Sequence, residues 1–187
     1  SSDACGIASL SLDETGFDCS EVGANTVTLT VTDVNGNIST CISTITVEDT
    51  VAPVAVCQDL TIYLDVNGDA SITPSDVNNG SNDACGIASL SLDSTDFDCS
   101  EVGQNTVTLT VTDNNGNSST CTSTIKVVDT VAPVAVCQDL TIYLYANGDA
   151  SITANDVDNG SNDACGIASL ALDSTDFDCS EVGANTG

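Results

Sequence analysis

The ten cysteines are the residues of this 187-residue chain whose types and spacing most clearly predict chemistry. Each cysteine returns after 80 positions, which gives four series: Cys5, Cys85 and Cys165; Cys19, Cys99 and Cys179; Cys41 and Cys121; Cys57 and Cys137. Cysteines at constant spacing form disulfides or bind a metal. Because the chain has no His and no C-x-x-C pair, zinc is disfavoured. Structural disulfides in an oxidising, extracellular setting are therefore predicted.

Carboxylates are the second group that could do chemistry, with 28 acids against one basic residue, Lys126, and a net charge of -27. This balance disfavours nucleic acid and anionic membranes as partners. Such a chain either tolerates self-repulsion under salt screening or binds cations. Calcium prefers oxygen ligands, and turns and linkers expected near domain junctions supply them. The predicted calcium ligands are Asp33, Asn35, Asn37, Asp49, Asp83, Asp113, Asn115, Asn117 and Asp129. Solvated turns are the alternative interpretation, since Asp, Asn and Gly favour turns on their own account.

The sequence contains few residues of the types that enzymes use for catalysis. The chain has no His, no Arg and one Lys, and it contains neither a Gly-rich phosphate loop nor a nucleophile elbow. No apolar run approaches the ~18 residues that a membrane span needs. We expect no enzymatic activity and no membrane insertion.

The 80-residue period predicts a tandem array of small domains. Linkers that read Asp-Thr-Val-Ala-Pro, with Pro blocking strand continuation, divide the chain into three parts. Residues 53–132 form a complete repeat, residues 1–52 the C-terminal part of a repeat and residues 133–187 the N-terminal part of another. Each repeat is expected to have the neighbouring repeats of the same chain as its first partners.

Period-two alternation predicts β-strands within each repeat. In the complete repeat the strands are expected near residues 56–64, 70–73, 87–92, 106–112 and 119–128, with a hairpin turn at 113–117. Residues 75–83 are predicted to form an irregular loop rather than a helix. Short strands separated by turns predict an all-β fold, a tandem array of immunoglobulin-like β-sandwich repeats of 80 residues stapled by disulfides.

This fold predicts two disulfides in each complete repeat. The first and last strands of the sandwich can run side by side, which would join Cys57 to Cys121. The remaining cysteines are expected to pair locally across a turn: Cys85 with Cys99, Cys5 with Cys19 and Cys165 with Cys179. Cys41 and Cys137 then lack partners because this window cuts their domains.

A rival scheme joins Cys41 to Cys57 and Cys121 to Cys137 across the linkers, which would leave no cysteine unpaired in these two series. The predicted geometry is unfavourable, because Cys41 starts a strand of about eight residues, roughly 26 Å long. The next domain begins beyond the far end of that strand.

Three short segments of the complete repeat resemble the sequences of the hyalin repeat family. They are Ala55 to Ile62 (AVCQDLTI), Asn82 to Gly86 (NDACG) and Val111 to Cys121 (VTDNNGNSSTC). The similarity is greatest to arrays in very large surface proteins of Bacteroidetes, including gliding-motility adhesins exported by the type IX pathway. It implies an immunoglobulin-like fold, an adhesive or filament role outside the cell and no enzymatic activity. Cys99 departs from the usual pattern of that family.

The sequence therefore predicts a structural or adhesive module of an extracellular filament or cell-surface adhesin, with identical chains and a glycan or substratum surface as further partners. The alternative is an array in which every repeat presents one weak site to glycan, mineral or ice. The Thr rows at 26–32 and 106–112 could be such a face. Short Asp-Ser/Thr words further predict O-glycosylation at Thr50, Ser94, Thr130 and Ser174.

Overall fold

The structure is a computed structural model that describes residues 1–183. It is an all-β, sandwich-like fold, which confirms the fold class predicted from the alternating pattern. Its contacts divide the chain into two compact units. The first comprises Ser1–Gln58, Pro74–Asp93 and Thr108–Ser123, and the second comprises Asp59–Thr73, Ser94–Val107 and Thr124–Gly187. The boundaries predicted at residues 52 and 132 stay a prediction.

The first repeat contributes a three-stranded antiparallel sheet. Its strands are β1 (Ile7–Leu12), β2 (Gly23–Asp33) and β3 (Ile38–Val47), in that order across the sheet. The Thr and Val alternation of β2 suits a strand, because β-branched side chains pack well on a pleated surface.

The complete repeat forms a four-stranded sheet and a two-stranded sheet. Its elements are β4 (Leu60–Tyr63), β5 (Ala70–Ser71), α1 (Pro74–Val77), β6 (Ile87–Leu92), β7 (Asp96–Phe97), β8 (Gly103–Asp113) and β9 (Ser118–Val128). The larger sheet has the order β4-β9-β8-β6, with β4 parallel to β9 and β6 antiparallel to β8. The smaller sheet pairs β5 with β7.

The prediction of an irregular loop over residues 75–83 is wrong at its start, where α1 forms one helical turn. Pro74 suits the first helical position, since it lacks the N–H that has no partner there. The apolar residue of this turn, Val77, is fully buried. One buried anchor in an otherwise polar stretch is too weak a periodic signal to predict a helix.

The third repeat repeats part of this pattern with β10 (Ala150–Ser151), α2 (Ala154–Val157) and β11 (Asp176–Phe177), and β10 pairs with β11. Its sequence LTIY at 140–143 is identical to β4, yet it is not a strand. Residues 60–63 are extended because they pair with Ile125–Val128, so the partner strand, rather than local propensity, determines this element.

The core of the complete repeat is built from aliphatic side chains of β8 and β9. Val107, Leu109 and Val111 alternate along β8 and are at most 1% exposed, as the period-two pattern predicts. Ile125 and Val127 of β9 are equally buried. These residues are the expected determinants of stability for a domain of this size.

Replacing Leu109 by Ala should lower the free energy of unfolding by about 2–5 kcal/mol, because the side chain is completely buried. The matched control is Leu29→Ala, at the same place in the first repeat, where the side chain is only half-buried. Chemical denaturation followed by circular dichroism measures both. Equal costs for the two variants would contradict this account of the core.

Candidate functional site

Two disulfides occur at equivalent places of the 80-residue register and, with the predicted boundaries at residues 52 and 132, each links consecutive repeats. Cys19 bonds to Cys85 and Cys99 bonds to Cys165, with Cα–Cα distances of 5.1 and 5.0 Å. Both bonds span 66 positions and differ by one 80-residue step. We call the surroundings of Cys19–Cys85 the first junction and those of Cys99–Cys165 the second junction.

The predicted local pairing is therefore wrong: Cys85 does not bond to Cys99, Cys5 does not bond to Cys19, and Cys165 does not bond to Cys179. Strand β6 lies between Cys85 and Cys99 and carries the chain away over six residues, which is about 20 Å. The next strand does not return alongside it, because β7 pairs with β5. A disulfide requires Cα atoms within about 7 Å, so this segment cannot close on itself.

Within the complete repeat, Cys57 bonds to Cys121 with a Cα–Cα distance of 5.8 Å. This is the pair expected from the sequence, and the expected reason holds, because β4 runs beside β9. The rival linker pairs involving Cys41 and Cys137 do not form. Among the described residues the unpaired cysteines are Cys5, Cys41, Cys137 and Cys179, all exposed. In the 80-residue register of the observed bonds, none of these four stands at a pairing distance from another cysteine of residues 1–187.

The 3-10 turn Cys99–Glu101 positions the first sulfur of the second junction. Asp98 caps this turn, since its Oδ1 accepts hydrogen bonds from the Ser100 N–H at 2.7 Å and the Ser100 hydroxyl at 2.6 Å. Glu101 reciprocates by accepting from the Asp98 N–H at 3.0 Å. This is a capping box. The hydrogen bonds from Ser100 lower the pKa of Asp98 below its ordinary value, so the cap is anionic at neutral pH.

An equivalent capping box sets the cysteine at Cys19, where Asp18 accepts from Ser20 and the hydrogen bonds again lower the pKa of the cap. The turn at Cys179–Glu181 has the same arrangement. The sequence Asp-Cys-Ser-Glu therefore determines this local structure wherever it occurs in the described residues.

A tight loop positions the other cysteine of the first junction, Cys85. Its N–H donates to Asp83 Oδ1 at 2.7 Å, and its carbonyl accepts from Asn114 Nδ2 at 2.7 Å. Gly86 follows with φ +93°, and a Cβ there would lie 2.7 Å from Asn114 Nδ2. Glycine alone fits this left-handed position. Three side-chain and backbone constraints thus fix Cys85 next to the hairpin turn that follows β8.

Two carboxylates meet at the first junction, those of Asp49 and Asp83. One oxygen of each and the Cys85 sulfur lie within 4.8 Å of one another. Asp49 Oδ1 accepts from the Val51 N–H at 3.0 Å, but its Oδ2 is buried without a hydrogen-bond partner. The linker is held in place by Asn117, whose Nδ2 donates to the Asp49 carbonyl at 3.2 Å. The sulfur belongs to a disulfide, so only the carboxylates offer charge.

The second junction repeats this cluster with Asp129, Asp163 and the Cys165 sulfur, again within 4.8 Å. Here the buried oxygen without a partner is Asp163 Oδ2. Sequence reasoning predicted Asp49, Asp83 and Asp129 as ligands but missed Asp163. Asp163 could have been predicted, because it lies 80 positions after Asp83 and is therefore its equivalent in the next repeat.

The remaining predicted ligands lie in hairpin turns that satisfy their own carboxylates. Asp113 is 1% exposed, and its Oδ1 accepts from the N–H groups of Asn115 and Asn117 at 2.9 and 2.8 Å. Its Oδ2 accepts from Asn117 Nδ2 at 2.8 Å. Burial raises the pKa of Asp113, but the hydrogen bonds outweigh it and the pKa is lower than usual. The turn thus stabilises the charged carboxylate without a cation.

The same turn in the first repeat engages Asp33, whose oxygens accept from Asn35 and Asn37, and Asn37 lowers the pKa of Asp33. The segments that begin at Asp33 and Asp113 are therefore hairpin turns in both repeats, as the alternative interpretation expects. Their role as ligands stays a prediction.

The predicted O-glycosylation residues differ in accessibility. Thr50, Thr130 and Ser174 are exposed, whereas Ser94 is half-buried. The Thr row of the complete repeat is also partly covered, because Thr108, Thr110 and Thr112 are half-buried and only Thr106 is exposed. Modification and surface binding stay predictions.

Gly68 packs directly against the second junction. It lies in the turn between β4 and β5 with φ +86°, and a Cβ there would lie 2.6 Å from Cys99 Sγ and 3.2 Å from the Ala164 Cβ. The residue is buried. A side chain at this position would displace either the disulfide or the loop that carries Cys165.

Gly68→Ala should therefore lower stability and reduce the yield of the Cys99–Cys165 bond. Gly80→Ala is the matched control, since Gly80 has nearly the same φ, +84°, but open space around its Cβ position. Both variants carry the same backbone strain, so the difference between their melting temperatures measures the contact. Peptide mapping without reductant reports the bond. Indistinguishable variants would contradict this packing role.

No family model matches the chain, and no curated protein matches it, so the resemblance to hyalin repeats stays a prediction. Similar solved structures include protocadherin gamma B7 extracellular cadherin domains 1–4, with 15% identity and a TM-score of 0.36. Others are the protocadherin gammaB7 EC3-6 cis-dimer, 20% identical, and the protocadherin gammaB4 extracellular domain, 19% identical, both with a TM-score of 0.36.

The matched regions cover 72%, 76% and 74% of this chain, and 45%, 46% and 28% of those chains, respectively. The chain thus spans less than half the length of these structures.

Proposed function

We propose that this chain is a structural module of an extracellular array, in which covalently joined repeats form part of a filament or cell-surface adhesin. The observation that carries the proposal is the disulfide between consecutive repeats, which recurs at both junctions with the same separation of 66 positions. A bond that is repeated with the period of the sequence serves the array rather than one domain.

Composition and chemistry support an extracellular setting without catalysis. Disulfides persist in oxidising compartments, and the described residues form three of them. The chain has neither His nor Arg for acid–base or anion chemistry. No helix in the described part of the chain is long and apolar enough to cross a membrane.

The hyalin-repeat resemblance extends the proposal to a large Bacteroidetes surface protein, secreted by the type IX pathway and used in gliding or attachment. In that setting the repeats contact their neighbours in the chain, identical chains in a filament and a substratum. Glycans at exposed linker residues such as Thr50 and Thr130 would shield the junctions from proteases.

An antibody raised against the 187-residue chain tests this proposal on intact source cells. Immunogold labelling should decorate surface filaments, and external protease should remove the label. Label found only inside the cell would overturn the proposal. A glycan array probed with the same chain separates the multivalent-binding alternative, for which we expect selective binding that the structural module lacks.

We further propose that calcium binds at the two junctions. At each junction one carboxylate oxygen is buried without a donor, at Asp49 and at Asp163, close to a second carboxylate. A buried anionic oxygen without a partner is costly, and two adjacent carboxylates repel. With one basic residue in the chain, a cation with a preference for oxygen is the natural partner. Carbonyl oxygens and water would complete its coordination shell.

Calcium should raise the melting temperature of the chain in calorimetry, and chelator should reverse the rise. The double variant Asp49→Asn/Asp129→Asn should lose this response, while each Asn can still accept the hydrogen bond from Val51 or Val131. The control Glu48→Gln/Asp139→Asn removes the same charge from exposed positions outside the clusters and should keep the response. A wild-type chain indifferent to millimolar calcium would overturn this proposal.

A further inference from the structure

Two of the three disulfides formed by the described residues create a covalent path through the chain that omits most of its residues. From Cys19 the path crosses to Cys85, follows the backbone to Cys99 and crosses to Cys165. It bypasses residues 20–84 and 100–164 completely. Only the fourteen peptide steps from Cys85 to Cys99 connect one junction to the next.

We propose that this path limits how far the array can be stretched, because tension is carried by residues 85–99 and their equivalents in the other repeats. The remaining residues of each repeat carry no tension, because the disulfides bypass them. The proposal rests on the bond connectivity and is independent of the cell surface on which the array acts.

The limit on extension follows from the length of a fully extended polypeptide, which is at most about 3.5 Å per residue. An 80-residue repeat without cross-links would lengthen to roughly 280 Å under tension. With the junction disulfides intact, the loaded segment of that repeat reaches only about 50 Å. Mechanical unfolding of the sandwich therefore releases little length, and the bypassed strands can refold while the load persists.

The Cys57–Cys121 bond supplies a second route. Cys57 lies in the first bypassed segment and Cys121 in the second, so this bond joins the two segments to each other. If the bond at the first junction breaks, tension passes through Cys57–Cys121 and then through Cys99–Cys165. Extension increases but is still limited, so a single reduced disulfide does not free the whole chain.

Single-molecule force spectroscopy on the chain, held at its two ends, tests this proposal by measuring the final extended length. All variants carry Ser at positions 5, 41, 137 and 179, the cysteines that are unpaired in the structure, to prevent thiol exchange. The oxidised chain should extend to roughly 190 Å, and addition of a phosphine reductant should allow roughly 650 Å. The second length verifies that the whole chain is held.

Two disulfide deletions have opposite expected results. Cys19→Ser/Cys85→Ser should lengthen the oxidised chain to roughly 350 Å, because the load is diverted through Cys57–Cys121. Cys57→Ser/Cys121→Ser is the matched control and should leave the length at roughly 190 Å, since that bond lies outside the shortest path. Final length depends on covalent connectivity, so the comparison holds even for a variant that folds poorly.

The outcomes that would overturn the proposal are equally distinct. An oxidised length of roughly 430 Å would mean that only the Cys57–Cys121 bond exists and that the repeats are not joined. A length of roughly 650 Å without reductant would mean that no bond carries load. A control variant that lengthens as much as the junction variant would show that the shortest path is not the one described.

Discussion

The disulfide between consecutive repeats is the constraint on which the rest of this structure depends. Repeats that share a large negative charge repel one another, and the chain has one basic residue with which to offset 28 acids. Contacts between such surfaces are weak unless a cation or a covalent bond supports them. The bond from Cys19 to Cys85 closes a segment of 66 positions, which the loop-entropy model equates with about 4 kcal/mol.

Acidic residues have two separate roles around this bond. Asp98 and Glu101 satisfy the N–H groups of a short turn and thereby place one cysteine. Asp49 and Asp83 instead lie close together with one buried oxygen unsatisfied. The first role is complete within the chain, whereas the second leaves a carboxylate oxygen without a hydrogen-bond donor. The same residue type thus builds the turn that places Cys99 and forms the cluster at which we propose that calcium binds.

The sequence was sufficient to predict features determined by local pattern and period. Alternation along β8 predicted the buried face of Leu109, and the side-by-side end strands predicted Cys57 with Cys121. The pairing of Cys85 was missed because it depends on where the preceding repeat places Cys19, which no local pattern records. The predicted bond from Cys85 to Cys99 conflicts with the six-residue length of β6, which is the same kind of argument that disfavoured Cys41 with Cys57. Asp163 was missed although its register with Asp83 was visible.

Joining the repeats through Cys85 rather than closing Cys85 on Cys99 changes what the disulfides do. A local ring of fourteen steps would stabilise one loop by about 3 kcal/mol and leave every repeat free to unravel under tension. The observed bond stabilises a longer loop and also removes that loop from the loaded path. One cysteine pair per repeat therefore provides both thermodynamic stability and a limit on extension. That combination suits an array whose repeats are small and whose buried core is mostly aliphatic.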